Sequence, residues 1–274
     1  MKRNYLFNLV VIGAFSFMAA CQSGSNQESS EGSDTMTMEE EASAEISISP
    51  VTSSPDFPDA MLEMNSPEES GSLETGEVQF NYDVTNYQLS TQTADADMKM
   101  CANSAQGQHI HLILNNEPYT AHYEPEFMKE MEAGHYVALS FLSRSYHESI
   151  KQPDAFVLRQ FTVGDAEEEN IDLSQPMLFY SRPKGTYSGP DTEKILLDFY
   201  LVNTDISSSG NKVRATINGE EFMIDQWQPY FVEGLPMGEN TFKIELLDSN
   251  GNLVESPFNS ETRTITLEEG SPSA

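Results

Sequence analysis

The chain has 274 residues and carries 44 Asp and Glu against 14 Lys and Arg, a formal net charge of −30 at pH 7. A surface this acidic repels phosphate backbones and anionic headgroups, which excludes nucleic acid as a partner. It favours solubility and attracts cations or basic peptides.

In chain order, Lys2 and Arg3 lead an apolar run from Tyr5 to Phe17, and Met18-Ala19-Ala20 brings the chain to Cys21. A charged start, an apolar stretch of this length and small residues before a cut predict a secretory signal peptide over 1–20. With Cys21 directly after the small pair, the segment resembles the lipobox of bacterial lipoproteins. The resemblance implies that the Cys21 thiol is acylated and that the mature chain is exported and held to a membrane by lipid. Buried acyl methylenes at about 0.8 kcal/mol each make such an anchor effectively permanent. Gln22 stands where Asp would mark inner-membrane retention, so the expected place is the outer membrane of the cell envelope, with the leaflet open. Cys101 is then the one remaining thiol, to be read as buried, as a metal ligand or as a handle for intermolecular pairing.

Residues 22–45 are rich in Ser, Glu, Gly and Asn, and no Lys or Arg occurs between Arg3 and Lys99. Such a stretch buries too little apolar area to fold, so 21–50 is read as a disordered acidic stalk.

Beyond it the chain repeats itself. Val78–Val84 recurs as Ile195–Asn203, Gly107–Glu117 as Gly210–Glu220, Gly134–Leu142 as Gly238–Leu247, and Phe161-Thr162-Val163 as Ile265-Thr266-Leu267. The units are 60–164 and 176–268, joined by a linker at 165–175. Within each the apolar residues alternate, as in Val213, Ala215 and Ile217 or Phe242, Ile244 and Leu246, which is the period of half-buried strands. Asn218-Gly219 and Ser249-Asn250-Gly251 supply turns. Pro125–Met131 is expected to form one short helical turn. The fold class is all-β: two tandem immunoglobulin-like or fibronectin-like β-sandwiches.

All five histidines fall in the first unit: His109, His111, His122, His135 and His147. Ile110, Leu112 and Leu114 match the inward residues of the second unit, so His109 and His111 face away from that core. They stand on one side of a strand, about 6.5–7 Å apart at Cα. Two imidazoles held so can converge on one metal, with His135 or His147 as a further ligand. Met98 and Met100 nearby would suit copper, and a carboxylate such as Glu148 would suit zinc. The plainer reading is exposed or hydrogen-bonded structural histidines. His122 carries little weight, because its counterpart is the ordinary Asp225.

Trp227 and Tyr230, with Phe231, offer aromatic surface for a sugar or peptide, or else fill the sandwich beneath a loop. Arg182 and Lys184 form a small basic island able to receive an anion. Enzymatic signals are absent: Gly185–Gly189 is no nucleophile elbow, there is no phosphate loop, and Asp95 and Asp97 lack the rest of a Ca²⁺ loop.

Cys101–His111 and Ser140–Ser149, together with the lipobox, resemble a family of bacterial lipoproteins often labelled phosphopeptide-binding protein. The resemblance covers nearly all of 50–268. The leading expectation is a non-enzymatic, lipid-anchored envelope module for binding or adhesion, recognising peptide, protein or glycan. The alternative is a metal-binding envelope protein built on the His-x-His strand, with copper or zinc.

Overall fold

The computed structural model describes residues 45–270 except Glu168 and Asn170. The expected leader, Cys21 and the stalk up to residue 44 lie outside the described residues. Seventeen strands make up the described chain. They are β1 Ser47–Pro50, β2 Met61–Ser66, β3 Gly71–Leu73, β4 Gly76–Thr85, β5 His109–Leu114, β6 Thr120–His122, β7 Glu126–Met131, β8 Gly134–Ser143 and β9 Phe156–Val163. The second half adds β10 Met177–Arg182, β11 Thr186–Ser188, β12 Ile195–Val202, β13 Lys212–Ile217, β14 Glu220–Ile224, β15 Tyr230–Glu233, β16 Gly238–Leu247 and β17 Glu261–Glu268. Among the described residues there is no α-helix, only three short 3-10 turns.

The first sandwich packs the sheet β2-β4-β7 on the sheet β3-β9-β8-β5-β6. The second packs β1-β15-β12-β10 on β11-β17-β16-β13-β14. Apart from β1, which has no counterpart in the first sandwich, the two halves repeat strand for strand, down to parallel pairing of β3 with β9 and of β11 with β17. Period-two patterning drives this. In β4 the side chains of Val78, Phe80 and Tyr82 are buried, while Glu77, Gln79 and Asp83 stay in water. Leu62, Phe80, Ile110, Leu112, Leu142 and Phe161 lie in the first core; Leu197, Phe199, Val213, Phe242, Ile244 and Ile265 lie in the second.

Two expectations are corrected. Glu126–Met131 is a strand, not a helical turn; it pairs with β4 along its length and stacks Phe127 on Phe80 at 5.3 Å. The expected stalk also extends too far. Ser47–Pro50, at its end, forms β1 and pairs antiparallel with β15, Ser47 opposite Glu233. Its edge position suits a short polar strand, since only one side needs hydrogen bonds and Pro50 closes it.

A third apolar layer joins the sandwiches. All eight residues of β12 are buried, so the strand has no wet face. The outer faces of β5 and β8 present Ile113, Val137, Leu139 and Phe141, with Tyr119 beside them. These pack against Met177, Phe179, Tyr200 and Val202 of β10 and β12. Phe141 stacks on Tyr200 with centroids 4.8 Å apart. Asn116 stitches the layer at one end, accepting from Tyr180 N at 2.9 Å and donating to Leu178 O at 3.3 Å. Each large apolar side chain buried here contributes about 1.5–3 kcal/mol. The sandwiches are therefore fused along a dry seam.

Candidate metal centre

His109 and His111 do point away from the first core, as their parity requires, but that direction leads into the seam and not into water. Both are 0% exposed. Strand β5 holds them rigidly, with His109 opposite Ser143 and His111 opposite Phe141 of β8. His147 arrives from the loop after β8. A tight turn, closed by Arg144 N–H to Glu148 O at 2.9 Å, puts His147 at φ 70° and aims its ring back at β5. The Arg144–Glu148 ion pair at 2.8 Å and Ser145 N–H donating to Thr93 Oγ1 at 2.9 Å pin that loop.

The three rings converge. Nε2 of His109 lies 2.8 Å from Nε2 of His111 and 3.1 Å from Nδ1 of His147. One ligand nitrogen from each ring falls within 4.8 Å of the other two. Nδ1 of His109 donates to Gly107 O at 2.7 Å, which fixes its proton there and leaves the Nε2 lone pair facing the cluster. Nδ1 of His111 lies 3.4 Å from Ser181 Oγ of the second sandwich. A hydrogen bond on the far nitrogen is how proteins orient metal-binding imidazoles.

Electrostatics keep all three rings neutral. Burial, with Arg182 and Lys184 nearby, pulls His109 down to about 4. Burial pushes His111 and His147 well below the usual imidazole range. One lone pair on His109 thus faces two other ring nitrogens, and it can accept only one well-aligned hydrogen bond. A cation at the common point would satisfy all three donors together. Two nitrogens bound at about 2.0–2.1 Å are separated by about 2.9 Å at a right angle and about 3.3 Å at the tetrahedral angle. The two spacings from His109, 2.8 and 3.1 Å, lie in and just below that range.

Tyr119 walls the site. Its ring stacks on His111 with centroids 3.6 Å apart, and its hydroxyl is 3.2 Å from Nδ1 of His147. On its other face sit Lys184 Nζ, 3.9 Å from the ring centre, and Arg182 at 5.5 Å.

Other candidates lie elsewhere. His135 opens β8, eight residues from the Ser143 that faces His109, or about 26 Å along the strand. Its ring sits between Thr162 and Gln160 at 3.2 Å each. Glu148 turns away to Arg144 and to Ser54 at 2.7 Å, so it gives the site no carboxylate. Met98 and Met100 are 70% and 66% exposed and give it no sulfur. Cys101 is buried, and burial pushes its thiol up to about 12. Asp95 pairs with Lys99 at 3.1 Å. Trp227 donates to Phe199 O at 3.1 Å and packs edge-on to Tyr200, while Tyr230 is buried and donates to Gln226 O at 2.9 Å. Tyr230 has no free face, while Trp227 is partly buried and borders a shallow pocket with Lys151, Gln152 and Phe156. His122 lies flat on Phe127 at 3.4 Å.

Sequence reasoning missed Tyr119 and Ser181 beside the rings, and Arg263, which is buried in β17 and donates to Ser181 O at 3.4 Å. For Arg263 a signal existed: it shares the parity of Ile265 and Leu267 in β17, so it had to point inward.

No family model and no curated protein matches the chain. Among solved structures it is similar to the fibronectin(III)-like modules of Clostridium thermocellum CbhA, at 12% identity and TM-score 0.27, covering 76% of this chain and 95% of that one. It is also similar to SGBP-B of a Bacteroides ovatus mixed-linkage glucan utilization locus, in complex with a mixed-linkage heptasaccharide, at 11% identity and TM-score 0.22. That match covers 81% of this chain and 47% of the other, so the chain spans about half of that protein. Chicken CNTN1 FN1-FN3 domains match at 12% identity and TM-score 0.21, covering 73% and 66%. The β-sandwich assignment rests on sheet order and register.

Proposed function

We propose that this chain is a metal-binding module of the cell envelope, with His109, His111 and His147 holding a copper ion, or failing that zinc. One observation carries the reading: three neutral imidazoles converge on one buried point, and the backbone fixes the tautomer of the first. Neutral nitrogen donors bind Cu²⁺ more tightly than the other first-row divalent ions. No carboxylate joins the three rings, and Arg182 and Lys184 raise the local potential. Such a seat favours a low ionic charge, as in Cu(I), or a divalent ion that brings an anion with it. Three protein ligands leave one position free for that anion. His147, only partly buried, marks the side from which an ion enters.

Envelope placement and lipid attachment belong to the same proposal and rest on the pattern from Lys2 to Cys21. Adhesion through Tyr230 loses ground because its ring is buried, which leaves Trp227 as a partly exposed aromatic. The test is metal content by mass spectrometry and calorimetric titration with copper and zinc, for the purified chain and for H109A/H111A. Micromolar or tighter binding that the double variant loses supports the centre. No binding, or binding that the variant keeps, removes it.

A further inference from the structure

Beside the metal centre, across Tyr119, the second sandwich opens into a cavity of about 700 Å³ lined by Arg182, Lys184, Tyr187, Asp191 and Arg263 among others. Arg182 and Arg263 sit at core-facing positions of β10 and β17 and are 7% and 8% exposed. Of the twelve described Lys and Arg residues, seven pair with a described carboxylate within 4.0 Å; among the described residues Lys129, Arg182, Lys184, Lys212 and Arg263 have no such pair. Three of those five meet in this cavity.

Their hydrogen bonds are neutral and incomplete. Arg182 donates to Tyr187 Oη at 2.8 Å, Arg263 to Asn116 O at 2.9 Å and Ser181 O at 3.4 Å, and Lys184 to Tyr119 O at 2.6 Å. Nε of Arg182 and Nε of Arg263 are buried with no acceptor. Asp191 is the one acid lining the cavity, and it makes no ion pair with Arg182, Lys184 or Arg263 within 4.0 Å. Glu117 and Glu261 act on Arg263 from outside the lining. A buried cation without a close counter-charge is costly, and this chain has 44 acids from which a partner could have been drawn. Three cations with no described carboxylate within 4.0 Å, two of them with a buried Nε lacking an acceptor, leave donors that a ligand would complete.

We infer that this cavity is a binding site for an oxyanion, the carboxylate or phosphoryl group of a small molecule, held by Arg182, Arg263 and Lys184. Planar guanidinium groups match such oxygens in pairs, and the neighbouring tyrosines wall off water. Burial, with Arg182 and Arg263 alongside, draws the Lys184 ammonium down to about 8, and a bound anion would restore it.

The site does not depend on the metal centre, and testing the chain after chelation keeps the two readings apart. Inorganic phosphate and succinate are titrated calorimetrically into the chelator-treated full chain at constant ionic strength, beside K184Q and R263Q. Lys184 is only partly buried and lies outside both sandwich cores, so K184Q keeps the fold, which circular dichroism verifies. One-site binding of either probe, weakened about tenfold in K184Q, supports the site, and the tighter probe names the group. No saturable heat from either probe, or equal affinity in K184Q, overturns it.

Discussion

Asp198, wholly buried in β12 of the second sandwich, binds the ammonium of Lys151 from the first. Its other oxygen accepts Ser149 N–H at 3.1 Å. The carboxylate is thus shared between two halves of the molecule and tied to the loop that carries His147. Replacing one partner of a buried pair leaves the other uncompensated. D198N is expected to lower stability by about 3 kcal/mol, the lower end for such pairs because Lys151 can reach water. Chemical denaturation reads it; a loss below about 1 kcal/mol, the worth of a surface pair, would contradict the seam's description.

Phe141 touches both the seam and the site, stacking on Tyr200 and lying edge-on to His111 at 5.1 Å. F141A should cost about 3–5 kcal/mol, the range for a fully buried Phe. It should also weaken metal binding, since His111 loses the wall behind it. Unchanged metal affinity in a destabilised variant would show that β5 alone orients the ring.

Cys101 should be inert in the folded chain. With its thiol pushed up to about 12, the thiolate is scarce at pH 8 and the sulfur is shielded. Iodoacetamide should label it only after denaturation, and mass spectrometry checks this. Prompt labelling of native protein would count against the burial.

His122 supplies a pH signature. Burial, with Lys129 and His109 adding to it, lowers the ring from 6.5 to about 4. Between those values the unfolded chain binds the proton and the folded chain does not, so stability falls as pH drops through that window. Above pH 7 both states are neutral and the effect vanishes. H122Q should flatten the slope of stability against pH between 6.5 and 4 relative to wild type. The other buried histidines titrate in the same direction, so the difference between the two proteins is the quantity to measure.

Alternation along the chain made the strands legible, and the inward parity of Ile110 and Leu112 set the direction of His109 and His111. The strand at 126–131 looks helical in the sequence for a physical reason. Phe127 and Met131 are four apart, a spacing that falls on one face of a helix and of a strand alike. The seam was hidden by treating the face opposite a core as wet. Its trace stood in Ile195–Val202, where apolar residues occupy both parities, the mark of a strand buried on two sides. His147 needed the turn after β8, which no periodicity reports. His135 is near the start of β8, whose other end leads to the His147 loop, and so lies at the far end of that strand from the site.

Ser47 pairs with Glu233, so the first strand of the described chain closes the sandwich built from the last strands. Just after it, Val51 N–H bonds Pro229 O at 3.0 Å, while Thr52 O receives Lys99 from the first sandwich at 2.9 Å. The order of assembly follows. During synthesis the first sandwich can close as soon as β9 emerges, but β1 must wait for β15. Pairing across so long a loop is slow to form. Until then the second sandwich has an open edge at β15, which is where premature contact with another chain would begin.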